Sequence, residues 1–149
     1  MTSFVKRALS RWWFAWGQST TYWANRMVSP RLYEEAVGSF TRATEYDPAW
    51  PRPLLRRGTI RGRELADYAG AVRDLTRAIE LATQSPEPYL QRGLLHAFHG
   101  LHAAERAIDD FERFLELAPA HSWRDEARQQ IGRLQAELAE RKLTESLGR

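Results

Sequence analysis

The 149-residue chain reads as an all-α fold, a solenoid of three helix pairs, and three observations predict it. The first is repetition: YEEAVGSFTRATEYDP (Tyr33–Pro48), YAGAVRDLTRAIELAT (Tyr68–Thr83) and AERAIDDFERFLELAP (Ala104–Pro119) superpose. Ala36, Ala71 and Ala107 align, as do Val37, Val72 and Ile108, then Phe40, Leu75 and Phe111, then Ala43, Ala78 and Phe114. Positions i, i+1, i+4 and i+7 share one face of a helix, so each copy is amphipathic with a small–large–small stripe. The second is a small residue in the helical stretch before each copy, Ala24, Gly58 and Gly93, where two antiparallel helices can approach closely. The third is punctuation. Ser29-Pro30 and Ser85-Pro86 have the form of an N-cap followed by proline in the first turn. Asp47-Pro48 and Ala118-Pro119 close helices, because the residue before proline is driven out of the α region.

Composition agrees with a single globular chain. Hydrophobic residues make up 43% and charged residues 28%, ordinary values for a packed domain. There is no cysteine, so no disulfide framework, thiol nucleophile or cysteine metal site is available. The net charge of +3 is small beside a pI near 9.6, which reflects 20 arginines against Lys6 and Lys142. No apolar run approaches the ~18 residues needed to cross a bilayer. Arg11 interrupts the one candidate apolar region for a secretory signal, and a cytoplasmic location is the expectation.

Residues 1–16 form the first predicted element. RWWFAW (Arg11–Trp16) places three tryptophans within six residues. On a helix at about 100° per residue, Phe4, Val5, Ala8, Leu9, Trp12, Trp13, Ala15 and Trp16 share one half of the circle. Ser3, Lys6, Arg7, Ser10 and Arg11 share the other half, with Phe14 as an intruder. Each indole can bury roughly 150–250 Å², so something must cover them. Three readings stay open. The helix lies across the chain's own first repeat, with Trp16 and Trp23 in one cluster. Or it docks another subunit through Phe4, Leu9, Trp12, Trp13 and Trp16. Or residues 4–16 lie in a membrane interface, with Lys6, Arg7 and Arg11 toward anionic head groups.

Three repeats follow over 17–121, divided as 17–50, 51–85 and 86–121, the first 34 residues long. Ser122-Trp-Arg-Asp125 predicts the start of a last helix, 122–143, with Ala127, Ile131, Leu134 and Leu138 on its apolar side. Such an element caps the end of a repeat array. Residues 144–149 are expected to be a flexible tail.

On these residues the chain resembles the tetratricopeptide repeat family, most specifically at the small–large–small face of each second helix and at Pro48 and Pro119. Arg57 and Arg61, and again Arg92 and His96, stand where the family usually has leucine and tyrosine. Arg57 and Arg61 would be costly to bury unpaired, so they should reach the rim, meet carboxylates of neighbouring second helices, or be covered by a partner.

The resemblance implies a right-handed solenoid and a concave groove lined by the first helix of each pair. Its lining would be Asn25, a basic stripe of Arg52, Arg56, Thr59 and Arg63, and an apolar floor of Leu90, Leu94 and Phe98. Arginine forks beside an apolar shelf suit an extended peptide carrying carboxylates. The arginines could equally pair with the chain's own Glu34, Glu35, Glu64 or Asp67. One subclass of the family clamps the acidic C-terminus of heat-shock chaperones with lysine, asparagine and arginine. The matching positions here hold Thr21, Asn25, Arg56, Glu87 and Gln91, of which only Asn25 agrees in type, and Glu87 would repel a carboxylate. A chaperone co-adaptor of that kind is not expected.

No phosphate-binding glycine loop, HExxH or G-x-S-x-G occurs, so no enzyme and no cofactor are expected. His96, His99 and His102 recur every third residue, but helical metal ligands favour i and i+4, and Gly100 intervenes, so no metal site is expected. Nucleic acid is not an expected partner, since acidic residues are interspersed and only Arg52–Arg63 is densely basic. The predicted function is a non-catalytic adaptor or small assembly subunit that grips a protein segment. The alternative is a peripheral subunit held at a membrane or membrane complex by its first helix.

Overall fold

The computed structural model describes residues 2–98 and 103–147. Among them are seven helices and no strand: α1 Ser3–Met27, α2 Pro30–Tyr46, α3 Pro51–Arg63, α4 Tyr68–Leu81, α5 Pro86–Phe98, α6 Ala104–Leu117 and α7 Arg124–Leu147. They belong to two compact units, Met1–Thr83 and Gln84–Arg149. In the first unit α1 pairs with α2, α3 packs on α2, and α3 pairs with α4. In the second α5 pairs with α6, and α7 packs on α6.

The first unit's core is built where the repeat pattern put it. Ala24, Ala36, Phe40 and Ala43 are buried together with Phe14, Tyr33 and Ile60. In the second unit Ala107, Phe111 and Phe114 do the same with Ala127 and Leu134 of α7. Close approach is strict at Gly93, where an added Cβ would stand 2.9 Å from the Phe111 ring. The Ser29 hydroxyl caps α2 by accepting from the Leu32 amide, with proline in the first turn, and the Asp67 carboxylate caps α4 by accepting from the Gly70 amide. Asp47 and Ala118 end α2 and α6, each directly before a proline.

Three expected boundaries are corrected. Residues 1–16 are not a separate helix: α1 runs unbroken for 25 residues through Gly17 and is also the first helix of the first pair. Gly17 does not break it, because its bare Cα is what lets Phe40 approach; a Cβ there would lie 2.8 Å from the ring. At the other end, α7 continues to Leu147 and so includes the start of the expected 144–149 tail. The Thr144 and Ser146 hydroxyls donate to the carbonyls of Arg141 and Leu143, which suits a continuing helix end. Nor does Ser122 open that helix. It begins at Arg124, whose guanidinium donates to the carbonyls of Leu115 (2.7 Å) and Ala118 (3.0 Å), binding the C-terminal end of α6.

Candidate functional site

The inner side of the first unit holds a cavity of about 350 Å³ between α1, α2 and α3. Its lining includes Gln18, Thr21, Tyr22 and Asn25 from α1, Tyr33 and Phe40 from α2, and Arg56, Thr59, Ile60 and Arg63 from α3, with Glu64 beside them. Of the expected groove residues, the structure therefore brings together Asn25, Arg56, Thr59 and Arg63. The spacings of three and four along α3 put those last three on one face. Asn25 is held by its Oδ1, which accepts from the Tyr33 hydroxyl at 2.8 Å. Burial raises the pKa of that hydroxyl, the Glu64 carboxylate raises it further, and Arg63 opposes. Tyr33 therefore stays a neutral donor at physiological pH.

Four expected groove residues take other places. Arg52 is absent from the lining, and its guanidinium lies 5.2 Å from the Phe14 ring centroid. Leu90 is 3% exposed and belongs to the core of the second unit, so it is no groove floor. Leu94 packs against the same core, while Phe98 is exposed with the Arg133 guanidinium 4.8 Å over its ring. Leu90, Leu94 and Phe98 lie in a different unit from the arginine-lined cavity.

The aromatic face of α1 is turned the other way from a packing face. What packs on α2 is Ser10, Phe14, Gly17, Thr20 and Ala24, so of the half-circle that looked polar Ser10 is drawn inward together with the intruder Phe14. Ser10 is fully buried because its hydroxyl donates to the Ala43 carbonyl at 2.7 Å, at the end of α2. Thr20 and Thr21 satisfy their hydroxyls on the carbonyls of Trp16 and Gly17, one turn back. The outer side then carries Phe4 (75% exposed), Trp12 (54%), Trp16 (56%), Trp23 (51%) and Met27 (66%). Trp12 and Trp16 stack with centroids 5.9 Å apart. Leu9 and Trp13 are half-buried, Trp13 against the core with Arg42 over its ring at 4.4 Å. Thus Phe4, Trp12 and Trp16 of the expected docking face are exposed, Leu9 and Trp13 are drawn inward, and Trp23 and Met27 are additions. The 4, 7, 4 spacing of Trp12, Trp16, Trp23 and Met27 marks that stripe in the sequence once α1 is read as one helix.

Arg57 and Arg61 meet a carboxylate of the neighbouring second helix, one of the fates open to them. Arg57 grips Asp74 through two bonds, Nη2 to Oδ1 at 2.6 Å and Nε to Oδ2 at 2.8 Å, and Arg61 Nη1 adds a third at 2.9 Å. Arg92 holds Asp110 the same way, at 2.7 and 2.9 Å. His96 is buried beside this pair, and its pKa is lowered by burial first and then by Arg92 and Arg106 against Asp110. Among the described residues no group of three or more His, Asp or Glu side chains is placed to hold a metal ion. His99, Gly100 and His102 lie outside the described residues.

No family model matches the chain, and no curated protein matches it. Solved structures do. The first tetratricopeptide domain of Spaghetti (RPAP3), bound to the HSP90 peptide SRMEEVD, superposes with a TM-score of 0.75 at 26% identity. The match covers 89% of this chain and 95% of that one. The chain has the tetratricopeptide repeat fold. The first such domain of human RPAP3 gives 0.73 at 25% identity, over 90% of this chain and 95% of that one. PcrH, in complex with the chaperone-binding region of PopD, gives 0.67 at 19% identity, over 89% and 92%. In repeat terms, α1/α2, α3/α4 and α5/α6 are the three helix pairs, and α7 packs on the last of them. Among the described residues no helix is long and apolar enough to cross a membrane.

Proposed function

We propose that the chain is a non-catalytic protein-interaction module, an adaptor or small assembly subunit, which holds a partner segment in the inner cavity of its first unit. The observation that carries this is the cavity itself, in which Arg56 and Arg63 stand beside Tyr22, Phe40 and Ile60. Guanidinium forks select carboxylates, and the apolar wall selects a neighbouring hydrophobic side chain. The peptide complexes of the RPAP3 domain and of PcrH support the general reading.

A clamp of the heat-shock type is not proposed. Thr21 supplies no cation, and its hydroxyl already donates to the Gly17 carbonyl. Glu64 at the cavity edge also narrows the choice, favouring a segment with one or two carboxylates over a polyacidic tail. The outer face of α1 is the second contact surface in this reading, for a protein partner. Its attachment to a membrane or a membrane complex is the alternative that the same exposed tryptophans leave open.

A displayed library of extended peptides, panned on the full chain, tests the cavity. Peptides pairing an acidic with a large apolar residue should be enriched. Their binding should drop at least tenfold in Arg56→Glu and Arg63→Glu, with an unchanged melting temperature. Enrichment without acidic residues, or binding that survives both substitutions, overturns the reading.

A further inference from the structure

In the first unit the two leading helices of successive pairs can be compared directly. Arg57 stands 34 residues after Trp23, and Gly58 the same distance after Ala24. Arg57 lies at the edge of α3 that meets both α4 and α2: it grips Asp74 of α4, and its Nη1 donates to Thr41 Oγ1 of α2 at 3.0 Å. The counterpart side of α1, carrying Trp23, is the exposed one. That side is shaped rather than flat: Trp16, Ser19, Thr20, Trp23 and Met27 of α1, with Leu32 and Glu35 of α2, line a second cavity of about 360 Å³.

We infer that an amphipathic α-helix of another protein, with carboxylates flanking its apolar stripe, stacks on α1 in the place that α2 takes against α3. The inference rests on reading the outer face of α1 as a docking surface and names the class of partner. Register supplies the helical form, because the face repeats one that α3 gives to a helix. The cavity supplies the receptacle for an apolar side chain of that helix.

Charge supplies the flanks. Lys6 and Arg26 border the exposed stripe at helical spacing, whereas Arg11 lies over the Trp50 ring at 3.4 Å; no carboxylate occurs before Glu34. Area separates a helix from a second copy. The three half-exposed indoles offer on the order of 300 Å², at the lower end of the largest patch on an ordinary monomer. A stable symmetric dimer of usual size needs about 800 Å² from each partner. A second α1 would also bring like charges together. An anionic bilayer would meet the same cations but has no use for the cavity.

The test uses the full chain and two synthetic 18-residue helical peptides with the same leucine stripe, one flanked by glutamate and one by lysine. Tryptophan emission and calorimetric titration should show saturable binding of the glutamate peptide, at least tenfold tighter than the lysine peptide. Met27→Glu, at an exposed position, should abolish that preference while leaving helicity and melting temperature unchanged, and Trp16→Ala with Trp23→Ala should weaken binding at least tenfold. Equal binding of the two peptides overturns the inference. So does co-flotation with phosphatidylcholine–phosphatidylglycerol vesicles that is lost in Trp12→Ala, or a dimer in sedimentation that Met27→Glu dissolves. In those last two outcomes α1 stays a docking surface and only the partner class falls. If no peptide, vesicle or second copy engages it, the docking role of α1 falls too, and the inner cavity is judged by its own library.

Discussion

Replacing Asp74 with alanine isolates the energetics of the buried ion-pair device. Both carboxylate oxygens are engaged, by Arg57 at 2.6 and 2.8 Å and by Arg61 at 2.9 Å, and the Asp74 side chain is 5% exposed. After the substitution Arg61 keeps Asp67 within 3.5 Å and is partly in water, so its loss is small. Arg57 has no such refuge: 13% exposed, it retains among the described residues the Thr41 hydroxyl alone. Removing one member of a buried pair and stranding the other costs about 3–5 kcal/mol. The two charge-assisted bonds lost by Arg57 account for about the same sum at roughly 1.5–3 kcal/mol each. The lower half of that range is expected here, since the guanidinium can rotate toward the rim. At about 2–4 °C per kcal/mol, the melting temperature should fall by about 6–16 °C. Thermal unfolding followed by far-ultraviolet dichroism measures that shift, and urea unfolding the free-energy loss. The companion variant Arg57→Met with Asp74→Leu should recover most of the loss, because a well-packed apolar pair matches a buried ion pair. A loss below about 1 kcal/mol for Asp74→Ala, or a double variant no better than the single one, would refute the reasoning.

Three further outcomes can be measured on the same instrument. Gly38→Ala meets nothing within 4 Å on the exposed side of α2 and should stabilise by about 0.5–1 kcal/mol through helix propensity. Gly93→Ala has the same propensity gain but drives a methyl group to 2.9 Å from the buried Phe111 ring, so it should lose about 1–2 kcal/mol net. His96 is a base whose folded pKa lies below its ordinary value, so the unfolded chain binds its proton first. The stability that its neutrality contributes is complete above about pH 6.5 and declines as pH falls below it. Denaturant midpoints taken between pH 7 and 5.5 should show that slope in the native chain and a flatter one in His96→Phe.

The pairing of helices was legible because it is written in residue size. Ala36/Phe40/Ala43 and its two copies specify a face whose shape admits one kind of neighbour, and the prolines fix the ends. The orientation of α1 was not legible, and the reason is physical. Hydropathy ranks tryptophan as core and serine or threonine as surface. Here, however, Ser10 is satisfied by the Ala43 carbonyl, and Thr20 and Thr21 by their own helix. Once their hydroxyls are satisfied, these small side chains pack as closely as alanine, and the bulky indoles are left outside. The candidate cavity was half legible: the spacing of Arg56, Thr59 and Arg63 sufficed for one helix. Leu90 failed because helical spacing says which residues share a face and not which helix covers it. Arg52 failed because a helical side chain leans back over the preceding turn.

The Arg57–Asp74 and Arg92–Asp110 locks each close inside one helix hairpin, between its leading and its trailing arm. Sliding one arm by a single turn would strand a guanidinium and a carboxylate on opposite sides of an oily seam, so each hairpin rejects its own misalignment. Such a hairpin keeps its alignment signal wherever it is spliced, which makes it a transferable cassette. The leading hairpin has Trp23 and Ser39 at those two places and so lacks the fastener. Its alignment is held instead by the fit of Gly17 against Phe40 and by two neutral hydrogen bonds across the seam, Ser10 to the Ala43 carbonyl and Tyr33 to Asn25.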